Sequence, residues 1–327
     1  MPRAIGLVSG GLDSVLAVRL LLEQGIECLG VCFVSPFFGA RKAKAAAKLL
    51  GIPLEVVDFS DAHLDLVKAP PHGYGKNMNP CIDCHAMMLR YAGRMMEERG
   101  FDFLFTGEVL GERPMSQNRN ALRQVAKLSG YRDSILRPLS ALVLEPTAME
   151  RSGAVDRSRL ADISGRSRKP QMDMAARLGI STYEPPAGGC LLTDPAYGRR
   201  LKQLFERIPD CGCAAARLLT VGRLFWVAPG AMVLVGRRQG ENERLTSMAA
   251  PGDALLHVDG DIPGPTVLVT GQFGEDEILK AAGLTVRYSD VRDQGPRSVA
   301  VLQNGVRRLV TADRPAEEDI ETWRGAA

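Results

Sequence analysis

The chain has few aromatic residues and no long hydrophobic run. Phenylalanine, tryptophan and tyrosine make up 6% of its 327 residues, which argues against a surface that binds single-stranded nucleic acid by base stacking. No apolar run approaches the roughly 20 residues of a membrane helix, and the N-terminus enters a predicted strand without a signal-peptide pattern. We therefore expect a cytoplasmic protein with no membrane partner.

Charge of one sign is not in large excess, because the formal net charge is only +3. This value permits nucleic-acid binding without requiring it. The cysteines number seven, and this odd number, unevenly spaced, favours metal or redox chemistry in a reducing compartment over a disulfide framework. A hydrophobic content of 45% with 24% charged residues is typical of a globular protein long enough for two domains.

The first half of the chain alternates apolar strands with amphipathic helices. The strands are predicted at residues 4–8, 27–34, 54–58 and 101–106, and the helices at 13–24, 40–50 and 83–99. This alternation predicts an α/β fold with a doubly wound parallel sheet, whose ligands bind at the carboxyl ends of the strands.

From about residue 217 the pattern changes to short strand-like runs separated by Gly/Pro turns. These runs lie at 231–235, 254–258, 266–269 and 298–302. We predict a second, smaller β-rich (α+β) domain over residues 217–327, following a first domain over residues 1–210.

A short glycine loop lies between the first strand and the first helix, and it reads Ser9-Gly10-Gly11-Leu12-Asp13-Ser14. Glycines allow close backbone approach, the amides at a helix start are unsatisfied, and the serines add hydroxyl donors, so the loop predicts a phosphate site. The loop has no lysine and is too short to be of the Gly-x-x-x-x-Gly-Lys type. A plain glycine turn before a buried helix would explain the glycines but not the two serines and the aspartate.

This loop resembles the pyrophosphate loop (PP-loop) of the ATP pyrophosphatases, whose motif is Ser-Gly-Gly-x-Asp-Ser. The resemblance implies an adenine nucleotide alpha-hydrolase-like fold and ATP cleavage to AMP and pyrophosphate, with AMP activating a carbonyl oxygen. It also implies that Ser9, Gly10, Gly11 and Ser14 contact ATP, and that Asp13 contacts ATP and helps to hold Mg²⁺.

The segment Thr106 to Gln117 reads Thr-Gly-Glu-x-x-Gly-x-x-x-x-Ser-Gln and is similar to the segment that closes on the nucleotide in tRNA 4-thiouridine synthetases. This similarity implies that Gly107 and Glu108 lie at the ATP site, while a purely structural interpretation makes Gly107 a strand-end turn. Arg137 follows in the same resemblance and would neutralise phosphate, or else it is a surface arginine before a proline turn.

Cys81 and Cys84 form a C-x-x-C at a predicted helix start, where the helix N-terminus favours thiolates. Cys190 supplies a third thiol from a Gly/Pro segment at residues 185–189. In 2-thiouridylases of the superfamily a cysteine pair comparable to Cys84 and Cys190 transfers a persulfide sulfur. In other thiolases, three cysteines hold a 4Fe-4S cluster with one open iron, and we favour this alternative for Cys81, Cys84 and Cys190. A structural zinc site is the third interpretation.

Basic residues concentrate at Arg166, Arg168 and Lys169, upstream of Cys190. Positive charge beside a reaction centre suits an RNA backbone, so we predict RNA contacts there, although a solvated helix end explains the same residues. Near the C-terminus, Val221-Gly222-Arg223 and the stretches at 235–238 and 241–245 resemble an RNA-binding module associated with ribosome quality-control proteins.

Together these resemblances imply an ATP-dependent tRNA thiouridine synthase, with Asp13, Cys84 and Cys190 as catalytic residues. Its partners would be tRNA and a sulfur donor, namely sulfide, a cysteine desulfurase or a carrier protein. Two rival hypotheses stay open. One is a PP-loop enzyme that amidates or ligates a small molecule and uses its cysteines structurally, and the other is a non-catalytic RNA-binding protein.

Overall fold

The computed structural model describes residues 1–181, 183, 189–291 and 295–325. The chain divides into two compact units, Met1–Thr193 and Asp194–Ala327. Within the described ranges, no helix is long and apolar enough to cross a membrane.

The first unit alternates strands with helices, as its sequence pattern predicts. Its elements are, in chain order, β1 (Arg3–Leu7), α1 (Leu12–Leu22), β2 (Glu27–Val34), α2 (Arg41–Leu50), β3 (Leu54–Asp58), α3 (Ser60–Lys68), α4 (Cys81–Arg99), β4 (Phe103–Thr106), α5 (Arg119–Ser129), β5 (Ile135–Leu136), α6 (Ala148–Arg151) and α7 (Lys169–Arg177). The five strands form one sheet in the order β3-β2-β1-β4-β5. Every neighbouring pair is parallel, so the predicted α/β architecture is confirmed.

Both faces of this sheet are covered by helices. Ala4 and Phe105 point into a cluster built with α1 and α7, whereas Ile5 and Leu104 point into a second cluster built with α4 and α5. Side chains that alternate between two buried faces make each strand apolar along its whole length. The direction in which strands are added to the sheet reverses at β1, which pairs with β2 on one side and with β4 on the other. Sheets of this type bind ligands at such a switch point.

The second unit contains an antiparallel sheet. Its elements are α8 (Pro195–Arg207), α9 (Cys213–Leu218), β6 (Arg223–Ala228), β7 (Ala231–Val235), α10 (Gln239–Met248), β8 (Ala254–Val258), β9 (Val267–Gly271), α11 (Glu275–Arg287), β10 (Arg297–Gln303), β11 (Val306–Ala312) and α12 (Glu317–Trp323). The six strands follow the order β11-β10-β8-β9-β7-β6, and the buried face packs on α11. The predicted β-rich second domain is thus confirmed as a fold.

The second unit begins before residues 210–217, where the composition changes and where the sequence places the domain boundary. The hydroxyl of Tyr197 in α8 donates to the backbone oxygen of Ala216 in α9, at 2.9 Å. Arg200 donates to the backbone oxygen of Leu219 at 2.9 Å. These hydrogen bonds attach α8 to the residues that lead into the antiparallel sheet.

Gly6 lies in the central strand β1, and a Cβ atom there would stand 2.1 Å from the buried ring of Phe105. We predict that Gly6→Ala lowers the free energy of unfolding of the first unit by about 1–3 kcal/mol, because the Phe105 ring is only 1% exposed and would have to shift within a close-packed core. Urea unfolding followed by circular dichroism measures the loss.

Gly240→Ala is the matched control, since a Cβ atom at Gly240 meets nothing within 4 Å and alanine favours the helical backbone of α10. A Gly6→Ala midpoint equal to that of this control would contradict the packing described for β1.

Candidate active site

The glycine loop after β1 is held tightly against α2. Gly10 has a φ of +82°, and a Cβ atom on it would lie 2.3 Å from the backbone carbon of Lys42. The hydroxyl of Ser14 donates to the backbone oxygen of Gly11 at 2.8 Å, and the amide of Gly11 donates to Ser9 Oγ at 3.3 Å. Gly11 is the N-cap of α1, with no side-chain cap, so the first amides of this helix are left to bind an anion.

Gly107 at the end of β4 packs directly on this loop. A Cβ atom at Gly107 would lie 2.6 Å from the backbone carbon of Asp13 and 2.6 Å from the amide nitrogen of Ser14. The glycine therefore serves a close approach between two backbone segments, and this contact joins the ends of β1 and β4. Its predicted approach to ATP stays a prediction.

Glu108 follows at once and is buried, with 6% of its surface exposed. Its Oε2 accepts from Arg137 Nε at 3.0 Å and from Thr106 Oγ1 at 3.1 Å, and its Oε1 lies 3.0 Å from His85 Nδ1. Burial by itself would raise the pKa of Glu108, but the charge of Arg137 and the contacts of His85 outweigh it and hold the pKa at about 2. The carboxylate is thus ionised and anchored on three sides.

This network engages Arg137, for which the sequence leaves two interpretations open, a phosphate contact or a surface arginine, and its burial shows that the surface interpretation is wrong. The arginine is buried at 8% exposure and also approaches the backbone oxygen of Leu122, at 3.4 Å. Its guanidinium group is therefore paired with Glu108 in this structure, and a phosphate contact by Arg137 stays a prediction.

A second polar group surrounds Asp13 and includes residues that the sequence does not single out. Burial raises the pKa of Asp13, while the charges of Arg168 and Arg113 and the side chain of Gln171 oppose the rise. Burial and the charge of Asp13 likewise raise the pKa of Glu112. Glu112 and Arg113 lie inside the motif Thr106–Gln117, but the sequence analysis assigns no role to either residue. Gln171 belongs to no motif.

These acids fit a hard cation such as Mg²⁺. Asp13 Oδ1 is buried and has no hydrogen-bond partner within the part of the chain that the structure describes. Oxygen ligands of carboxylates are those that Mg²⁺ prefers, and a cation would favour the ionised forms of both Asp13 and Glu112.

Arg168 therefore lies near the glycine loop, whereas the sequence assigns it to RNA together with Arg166 and Lys169. Arg166 and Lys169 are exposed and Arg168 is half-buried. The RNA contacts of these three residues stay predictions.

The thiols lie in one electrostatic neighbourhood. Burial, with the charges of Cys190, Cys81 and Asp83 adding to it, raises the pKa of Cys84 well above its ordinary value. Burial likewise raises the pKa of Cys190 to about 11, where Cys81 adds to the rise and Arg113 opposes it. For Cys84, burial outweighs the helix N-terminus that the sequence expects to favour the thiolate.

Hydrogen bonds attach the residues that follow Cys190 to other segments of the first unit. The amide of Leu191 donates to the backbone oxygen of Phe37 at 3.0 Å, and Asn77 Nδ2 donates to the backbone oxygen of Thr193 at 2.7 Å. Asn79 Nδ2 lies 3.3 Å from Cys81 Sγ. The residues after Cys190 are therefore attached to the segment that precedes α4 and to the residues after β2, while residues 185–188 of the Gly/Pro segment lie outside the described residues.

No three His, Cys, Asp or Glu side chains in the described ranges are arranged to hold a single metal ion. Thiolates are the donors that iron–sulfur clusters use, so Cys81, Cys84 and Cys190 fit a cluster by donor type, and their binding of one stays a prediction.

Two family models match the chain. Residues 2–145 match the model described as Thiamine biosynthesis protein (ThiI). Residues 222–324 match the NFACT protein RNA binding domain. The tRNA-specific 2-thiouridylase MnmA of Symbiobacterium thermophilum is 25% identical over 310 residues, which cover 86% of this chain and 73% of that protein.

The resemblance to tRNA thiouridine synthases is confirmed. So is the resemblance of the C-terminal strands to an RNA-binding module. The ThiI match contains the glycine loop, the segment Thr106–Gln117, Cys81 and Cys84, while Cys190 lies beyond its last residue.

Solved structures with similar parts are more distant. A 4-thiouridine synthetase in complex with RNA and bound ATP is 20% identical with a TM-score of 0.35, and the match covers 55% of this chain and 52% of that chain. A predicted subunit of tRNA methyltransferase from Methanocaldococcus jannaschii is 19% identical with a TM-score of 0.31, covering 42% of this chain and 69% of that chain.

The buried network makes a testable prediction for stability in the ThiI-like region. We expect Glu108→Gln to lower the free energy of unfolding by about 3–5 kcal/mol, because it leaves the Arg137 charge buried without its partner. Urea unfolding at neutral pH measures this. Glu145→Gln is the control, since it breaks the exposed pair of Glu145 with Arg123 at a cost of about 1 kcal/mol or less; equal losses in both variants would contradict the network.

The same network sets the acid dependence of stability. Because the folded pKa of Glu108 is depressed to about 2, its stabilisation is fully present above the unfolded value of about 4.3 and is lost as the pH falls toward 2. The stability difference between the wild type and Glu108→Gln therefore shrinks in this range, and a difference that stayed constant down to pH 2 would contradict the assignment.

Proposed function

We propose that this chain is an ATP-dependent tRNA sulfurtransferase that replaces a uridine carbonyl oxygen with sulfur. The observation that carries the proposal is a series of contacts: Gly107 packs on Asp13 and Ser14 of the glycine loop, and the adjacent Glu108 contacts His85, the neighbour of Cys84. The nucleotide loop and the thiols would then share one site at the carboxyl edge of the parallel sheet. The ThiI match and the MnmA relative support the same chemistry.

In the first half-reaction the glycine loop would bind the phosphates of ATP. The free amides of α1 face the anion, and Asp13 with Glu112 would hold Mg²⁺ beside it. The uridine carbonyl oxygen attacks the α-phosphorus, the bond to the β-phosphate oxygen breaks, and pyrophosphate leaves with the electron pair. Arg113 and Arg168 supply positive charge near this centre, where negative charge develops.

In the second half-reaction a sulfur nucleophile attacks the activated uridine carbon, the carbon–oxygen bond breaks, and AMP leaves. The oxygen must first be adenylated because an unactivated carbonyl oxygen is a poor leaving group. An iron–sulfur cluster held by Cys81, Cys84 and Cys190 would supply a site for sulfide. In the alternative persulfide route, Cys190 or Cys84 would carry the sulfur, with a cysteine desulfurase or carrier protein as donor and a reductant to restore the thiols.

Arg113 would also act in this half-reaction. Its charge opposes the rise in the pKa of Cys190, so it favours an anionic sulfur at that position. Arg113 would therefore act on both the leaving AMP and the incoming sulfur.

Purified protein, ATP and tRNA test the proposal directly. We expect pyrophosphate release to require tRNA and a thiouridine to appear in the digested tRNA. Asp13→Asn should lower both products roughly 100-fold or more, because it removes a charge from the metal and phosphate site. Cys190→Ser should retain tRNA-dependent pyrophosphate release and lose the thiouridine.

Cys28→Ala is the matched control, since Cys28 is buried at the start of β2, at the end opposite the carboxyl edge of the sheet, and should leave both products unchanged. Pyrophosphate release that ignores tRNA would favour a small-molecule ligase or amidase over the sulfurtransferase. Absence of AMP under all conditions would favour a non-catalytic RNA-binding protein. A preparation without visible iron–sulfur absorbance that still forms thiouridine would assign the second half-reaction to the persulfide route.

A further inference from the structure

An open groove lies at the β5 edge of the parallel sheet, and none of its lining residues belongs to the glycine loop. It has a volume of about 220 Å³ and is lined by one face of α5, by β5 and by residues 141–151. Five of its lining residues are arginines, namely Arg119, Arg123, Arg132, Arg137 and Arg151. We name this feature the arginine groove.

Carboxylates neutralise only part of this positive charge. Arg123 pairs with Glu145 and Arg137 pairs with Glu108. The ion pairs found in the described ranges include none with Arg119, Arg132 or Arg151.

The remaining lining acids do not close this gap. Glu150 is engaged by Arg157, which is not one of the lining residues. In the part of the chain that the structure describes, Asp133 is then the one lining carboxylate without an ion pair, whereas three lining arginines have none. The groove therefore carries a net positive charge.

Backbone oxygens hold two of these guanidinium groups in place. Arg119 donates to the backbone oxygen of Val143 at 3.0 Å, and Arg151 donates to that of Pro146 at 2.5 Å. A carbonyl fixes the direction of a guanidinium group without cancelling its charge, so the remaining donors stay available to an anion.

The geometry favours a strand of linked phosphates over a single small anion. The three unpaired arginines come from three different segments, namely the start of α5, the turn before β5 and the end of α6, so the positive charge is distributed among the groove's walls. The floor between the charged walls is apolar and includes Leu122, Ala126 and Leu136. Exposed arginines along the walls of an open groove suit the backbone of a folded RNA.

The groove also adjoins the active site. Arg137 lines the groove and donates to Glu108, and Glu108 contacts His85, the neighbour of Cys84. A strand bound in the arginine groove would therefore contact, through Arg137, the network that reaches the residue after Cys84.

We propose that the arginine groove binds the phosphodiester backbone of the RNA substrate, with Arg119, Arg132 and Arg151 as its phosphate contacts. This inference rests on the proposed function for the identity of the RNA. It assigns the first unit its own RNA-binding surface, in addition to the module matched at residues 222–324.

The test is tRNA binding by the full chain over a range of salt concentrations. Each phosphate contact contributes roughly 0.7–0.9 to the slope of log K against log salt. The triple variant Arg119→Gln/Arg132→Gln/Arg151→Gln should therefore lower that slope by about 2–3 and weaken binding at least tenfold at moderate salt. Arg132→Gln alone removes no hydrogen bond of the described fold and should lower the slope by roughly 0.7–0.9.

Arg90→Gln is the matched control. Arg90 is also an exposed arginine that donates to a backbone oxygen, that of Leu128 at 2.7 Å, but it does not line the groove. It should leave the slope unchanged.

The outcomes separate this inference from the proposed function. A triple variant with the wild-type slope and affinity would overturn the groove assignment. If the wild type and the triple variant then both formed thiouridine, the sulfurtransferase proposal would stay intact. A triple variant that loses tRNA binding, with no thiouridine formed by either protein, would support the groove and contradict the sulfurtransferase. Equal losses of tRNA affinity in Arg132→Gln and Arg90→Gln would also overturn the groove assignment. Each variant removes one charge, so equal losses would reflect total charge alone.

Discussion

The buried carboxylate of Glu108 connects the parts of the first unit on which chemistry depends. It follows Gly107, whose backbone packs on the glycine loop. One oxygen of Glu108 contacts His85 beside the C-x-x-C, and the other accepts from Arg137 in the wall of the arginine groove. An ionised group can be buried only where it is paired and hydrogen-bonded. The end of β4, the start of α4 with His85, and Arg137 after β5 must therefore keep their relative positions.

Around this anchor, the site is built from groups that burial pushes toward their uncharged forms. The pKa values of Asp13, Glu112, Cys84 and Cys190 are all raised, with burial as the largest cause. Such groups favour the binding of cations, because a positive charge restores the ionised form. Arg113 already supplies part of that charge to both the nucleotide side and the thiol side, and Mg²⁺ would supply more.

Much of the fold follows from the sequence because the apolar strands of a doubly wound sheet are buried on both faces and stand out as continuous runs. The short β5 escaped prediction, since two residues carry no periodicity, and β11 was missed although Asn304-Gly305 is a typical hairpin signal with two positive φ angles. In the site, the glycine loop and the cysteine spacing are local patterns and could be recognised. The pairing of Arg137 with Glu108 could not, because it joins residues 29 positions apart through the order of strands in the sheet. Arg113 and Gln171 lie in no local pattern of their own, and only the fold places them beside Asp13.

The central claim, that ATP activates an oxygen of tRNA so that sulfur can replace it, is tested most directly by nucleoside mass spectrometry of tRNA from cells that lack the gene. We expect one thiouridine to be missing, restored by the wild-type gene and not by the Cys190→Ser variant. A complete set of thiouridines in the deletion strain would contradict the account.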